Sequence, residues 1–148
     1  MKCLYACYCV LLIVFFSPDA LGQNSVPNGN FEGVVNCPSD YSQMGNSSGW
    51  RSYHTGTADF LHSCSTSSLV STPSNAFGYQ VPASGNGYAG IYTYLVSTTY
   101  KEYIARPITA LHQGVTYDVS LSISLSNFSG YTTRDLGIWF YHNGPTAT

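Results

Sequence analysis

The sequence predicts an all-β chain, an antiparallel β-sandwich, and three observations predict it. Residues 115–125 alternate without a break: Val115, Tyr117, Val119, Leu121, Ile123 and Leu125 against Thr116, Asp118, Ser120, Ser122 and Ser124. This period of two is that of a half-buried antiparallel strand. Turn signals built from Gly, Pro and Asn separate short apolar segments along the chain, and no helical periodicity follows the first 22 residues.

The elements follow in order. Lys2 precedes an apolar run over residues 3–16, and Ala20-Leu21-Gly22 reads as a small-x-small cleavage site before Gln23. Residues 1–22 are therefore expected to be a secretory signal peptide, since the run is shorter than the roughly 20 residues that span a bilayer. Residues 23–148 remain as a single module, enough chain for one core. Pro27 and Asn28-Gly29 set a turn that leads into a first strand. Residues 36–75 are rich in Ser, Thr, Gly and Asn with isolated anchors at Tyr41, Trp50, Tyr53, Phe60 and Leu69, and read as long loops pinned to a core.

Gly85, Gly87 and Gly90 punctuate a turn feeding a strand from Tyr88 onward. Ala89, Ile91 and Leu95 fall on one face of it, and Tyr88, Tyr92 and Tyr94 on the other. Residues 98–108 read as a strand ended by Pro107. His112-Gln113-Gly114 supplies a turn before the alternating segment, and a last strand is expected over residues 135–142. The sequence stops directly after it, so a jelly roll of about eight strands would be short of its last strand or strands, and the chain is expected to be part of a longer protein continuing into further domains.

Composition narrows the function. After the leader, Arg51, Lys101, Arg106 and Arg134 stand against Glu32, Asp40, Asp59, Glu102, Asp118 and Asp135, a net charge of −2 with no basic cluster. Nothing there neutralises a phosphate backbone or an anionic bilayer, which argues against nucleic-acid and membrane-surface partners. No transmembrane segment is expected in the mature chain. Cys37 and Cys64 are the only cysteines after the leader, and an even pair in an exported chain reads as one disulfide, the alternative being two reduced thiols.

Several motifs together resemble a known kind of module. They are Val26-Pro27-Asn28-Gly29-Asn30-Phe31-Glu32, Trp50, Gly87-Tyr88-Ala89-Gly90-Ile91-Tyr92, Tyr100-Lys101-Glu102-Tyr103-Ile104 and Gly114-Val115-Thr116-Tyr117. The set resembles the amino-terminal module of exported Bacteroidetes-type cell-surface proteins, of the gliding-motility, type IX-sorted and outer-membrane-protein-A-like kinds. More remotely it is similar to carbohydrate-binding modules of families 4 and 9. The resemblance implies a galactose-binding-like jelly roll, an extracellular or outer-membrane location, and a glycan or another cell-surface component as partner.

Sugar binding needs flat aromatic faces with hydrogen-bonding groups around them. Tyr88, Tyr92, Tyr94, Trp139 and Tyr141 are the candidate ligand-binding residues, although tyrosines also suit an ordinary pleated, half-buried surface. No cofactor is expected beyond a structural calcium, for which Glu32 is the candidate ligand. His54, Asp59, His62 and Cys64 match no catalytic or metal-binding spacing, and the six scattered acids mark no facing glycosidase pair. The chain reads as a non-catalytic module for adhesion or carbohydrate binding, or alternatively as a structural module of an outer-membrane or motility protein without a small-molecule ligand.

Overall fold

The computed structural model describes residues 24–96 and 98–142. The expected signal peptide and the last six residues lie outside the described residues. The described chain is all-β apart from one 3-10 turn, Met44–Asn46. Its strands are β1 (Arg51–Tyr53), β2 (Asp59–His62), β3 (Ser74–Asn75), β4 (Gly78–Tyr79), β5 (Gly87–Gly90) and β6 (Tyr103–Ala105). They form three antiparallel two-stranded ladders, β1 with β6, β2 with β5 and β3 with β4. Among the described residues no helix is long and apolar enough to cross a membrane.

The core is built around β2. Phe60 and Leu61 are fully buried, together with Ala58, Met44 of the 3-10 turn and Val70. Two backbone bonds bring the outer members in: Met44 N donates to Ala58 O at 3.2 Å, and His62 N to Val70 O at 3.0 Å. On the other edge β5 pairs with β2, Asp59 opposite Gly90 and His62 opposite Gly87. Gly87 is required there, because a Cβ would lie 2.7 Å from His62 Cδ2 and 3.0 Å from Phe31 O.

This placement corrects the reading of residues 36–75 as loops: they hold β1, β2, β3 and the buried core. The strand signal was hidden because all four residues of β2 are buried, so the segment has no alternation. Its polar ends are buried too: Asp59 Oδ1 accepts from Ser42 N at 2.6 Å and His62 Nδ1 from Cys64 N at 3.1 Å, while His62 Nε2 has no hydrogen-bond partner among the described residues.

The amino-terminal turn forms as expected, but the strand after it reduces to one bridge between Val34 and Ser47. Asn28, in the left-handed region at φ 48°, clasps this corner. Its Nδ2 donates to Gly33 O, Ser47 Oγ and Ser48 O at 3.0–3.1 Å, while its Oδ1 accepts from Gly33 N at 2.6 Å. Trp50 Nε1 donates to Asn28 O at 2.8 Å, and the Trp50 ring packs on Phe31 at 5.0 Å. The Cys37–Cys64 disulfide is present, with Cα atoms 5.6 Å apart, and ties the segment before the 3-10 turn to the end of β2.

The clearest strand signal is the one the structure overturns. Residues 115–125 join no ladder, and Val115, Tyr117, Val119, Leu121, Ile123 and Leu125 are all exposed. At the carboxy-terminal end of the segment it is the polar side that docks: Ser124 Oγ donates to Gln80 Oε1, and Ser126 Oγ donates to Phe77 O at 2.6 Å. The next residue continues the contact, Tyr79 N donating to Asn127 Oδ1 at 2.6 Å. Alternation fixes which residues share a face, but only a neighbouring strand turns that face into a core. The strand expected over residues 135–142 is likewise not formed, and the one expected over residues 98–108 shortens to β6, ending before Pro107.

Core truncation therefore belongs in β2. Phe60→Ala should cost about 3–5 kcal/mol, whereas Leu121→Ala, at a residue 52% exposed, should cost less than about 0.5 kcal/mol. Urea denaturation of both variants checks this, and equal losses would contradict the assignment.

Candidate functional site

The candidate site is assembled where the chain leaves β5 and returns into β6, around the carboxylate of Glu102. This residue is only 3% exposed. Its Oε1 accepts from Thr57 N at 3.0 Å, Thr57 Oγ1 at 2.7 Å and Tyr100 OH at 2.8 Å, and its Oε2 accepts from Tyr92 N at 2.8 Å. Glu102 N in turn donates to Tyr92 O at 2.8 Å. The backbone of Tyr92 is thus held on both sides by one residue, and four donors compensate a charge that would otherwise be costly to bury.

Tyr92 presents its ring from that fixed backbone. It meets Phe77 edge-on, with centroids 6.2 Å apart and planes at 76°. Phe77 meets Tyr41 in the same manner at 5.7 Å and 61°. Tyr41 and Tyr92 are 40% and 45% exposed, with Phe77 half-buried between them, so two phenol rings flank a shared apolar floor. Burial pushes the Tyr92 phenol up, and the negative charges of Asp59 and Glu102 add to the effect. Asp59 itself is raised, first by burial and further by Glu102 and Asp40, against the opposing hydrogen bond from Ser42 N. The arrangement offers aromatic faces rimmed by hydroxyls. Glu102 is a positioning group, because both its oxygens are engaged by protein donors.

The five expected ligand-binding residues make separate contacts. Tyr88 lies in β5, half-buried, and its hydroxyl accepts from Asn75 Nδ2 at 2.7 Å, so it packs. Tyr92 and Tyr94 follow the end of β5 at Gly90 and are exposed. Tyr94 contacts Tyr131 at 5.2 Å, and Trp139 stacks on Tyr141 at 4.7 Å and 24°. Among the described residues no ring contact joins these pairs to Tyr92. Sequence reasoning singled out Tyr92 but missed Phe77, Tyr41 and Glu102 as its companions, because they come from three separate segments. The signal available was local: an acid set between Tyr100 and Tyr103 in a chain with few charges.

Glu32 is used as a tether. Its carboxylate accepts from Asn86 N, from Asn86 Nδ2 at 2.8 Å and from Gly87 N at 3.1 Å, which fixes the turn that leads into β5. The backbone hydrogen bond from Asn86 holds its carboxyl below the usual range, with the Asn86 side chain, Gly87 N and the charge of His62 acting in the same direction against desolvation. Among the described residues no group of three or more His, Cys, Asp or Glu side chains gathers to hold a metal ion.

Asp59 gives the site a pH signature. Its carboxyl titrates higher in the folded chain than in the unfolded one, so its favourable contribution is fully present below the unfolded value and is lost as pH rises through the folded value. Asp59→Asn keeps an acceptor for Ser42 N and should be more stable than the parent at neutral pH. The gain should shrink as pH falls below about 4. Urea titrations at the two pH values test this, and a variant that is less stable at neutral pH would contradict it.

Compared with known proteins, the chain matches no family model, no curated protein and no solved structure.

Proposed function

We propose that this chain is a non-catalytic, exported module of a cell-surface protein that binds carbohydrate, or adheres through it, by way of exposed aromatic rings. The observation that carries the reading is the Tyr41–Phe77–Tyr92 cluster, whose two outer rings are open while the Tyr92 backbone is locked to Glu102. Rigid rings offer the C–H face of a pyranose a large contact area at low entropic cost. On this reading the all-β chain belongs to a jelly-roll, galactose-binding-like sandwich at the outer membrane or outside the cell, as the resemblance of its motifs to exported Bacteroidetes-type modules implies.

A second reading, a structural module without a small-molecule ligand, is favoured by Tyr88, whose half-buried ring is drawn into packing.

A glycan array followed by calorimetry on the exported protein separates the two. Each stacked ring contributes about 1 kcal/mol beyond the area it buries, so replacing Tyr41 and Tyr92 together by Ala should weaken binding about tenfold or more. Because the contact is largely uncharged, affinity should vary little with salt. Absence of binding to every glycan, or binding unaffected by the double replacement in a folded protein, would favour the structural module.

A further inference from the structure

A second concave surface lies on the other side of Glu102 from the protein interior, and its chemistry differs from that of the Tyr92 cluster. Along residues 101–103 the chain alternates, Glu102 buried and Lys101 and Tyr103 exposed, so these two side chains project away from the carboxylate hub. They face the turn after β1 across a cavity of about 510 Å³, within the range of small-ligand sites. His54, Thr55, Thr98, Thr99 and Tyr100 complete its wall.

The wall carries two nitrogen bases and no carboxylate. Among the described residues Lys101 forms no ion pair or hydrogen bond, so its ammonium is available. His54 is held in the left-handed region at φ 61°, where a non-glycine residue is uncommon, and its Nδ1 lies 3.2 Å from Thr55 Oγ1. Tyr100 is fixed from behind, its hydroxyl bonded to Glu102 and in contact with Thr57 Oγ1 at 2.8 Å. Glu102, the acid that follows Lys101 in the chain, has its charge taken up by Thr57, Tyr100 and Tyr92 donors. Tyr103, 54% exposed, adds an open ring. An ammonium, an imidazole, three threonine hydroxyls and a ring face on a partly preorganised wall match a ligand that is both polyhydroxylated and anionic.

We propose that this pocket is a binding site for a sugar acid, distinct from the Tyr92 cluster, in which Lys101 pairs with the carboxylate, Tyr103 lies against the ring and the threonines meet its hydroxyls. No bond is made or broken in the ligand.

Calorimetric titration of the exported protein with a uronic-acid oligosaccharide, its neutral counterpart and sodium acetate tests the proposal. The acidic oligosaccharide should bind more weakly as salt rises. Lys101→Met should cost it about tenfold or more, the weight of one charge-assisted hydrogen bond, while Lys101→Arg should retain most of the affinity. Tyr103→Ala should also weaken it. Neutral-glycan binding through Tyr92 should be unchanged in Lys101→Met, so failure here is distinct from failure of the Tyr92 site. The proposal is overturned if the acidic oligosaccharide does not bind, if Lys101→Met binds it as well as the parent, or if acetate binds equally well, which would make the pocket a simple anion site.

Discussion

The Glu102 carboxylate is the interaction on which the rest of the described structure depends. With only two- to four-residue strands, the ladders alone cannot hold the chain in place. Glu102 joins three segments: Thr57 just before β2, Tyr92 just after β5, and its own segment leading into β6. It thereby links the β2–β5 ladder to the β1–β6 ladder through charge-assisted hydrogen bonds. The cost of burying that carboxylate is offset only while all its donors are in place, so loss of one segment exposes the others to an uncompensated charge.

The same device recurs at two other corners. Asn28 closes the amino-terminal turn on Gly33, Ser47 and Ser48, and Glu32 closes the 86–87 turn that starts β5. A chain with 8% charged residues thus commits four of its acids, Glu32, Asp40, Asp59 and Glu102, to holding backbone amides. The apolar core of Met44, Ala58, Phe60, Leu61 and Val70 is small, and these polar clasps carry order out from it. Both proposed surfaces rest on the same constraint: Tyr92 and Tyr100 are each bonded to the buried Glu102 carboxylate, and Lys101 precedes it in the chain.

Turn chemistry was legible in the sequence because it is local. The Asn28-Gly29 turn, the turn at residues 113–114, the Gly-rich approach to β5 and the stop before Pro107 all occur where the residue types require. The cysteine pair was legible because it had only one partner to choose. β2 was not legible, since a strand covered on both faces shows no period, and its Asp59 and His62 look like solvent residues until their partners Ser42 and Cys64 are known. Residues 115–125 erred the other way: the period is perfect, yet pairing is a non-local event that period cannot supply. The candidate site was half-legible, Tyr92 from its spacing, but Tyr41 and Phe77 only from the fold that gathers them.

Amide hydrogen exchange on Glu102→Ala tests most directly whether Glu102 organises the molecule. Faster exchange is expected at the amides of Thr57 and Tyr92, which donate to its carboxylate, with the Asn86 and Gly87 amides held by Glu32 unaffected. Unchanged protection at Thr57 and Tyr92 in a folded variant would contradict it.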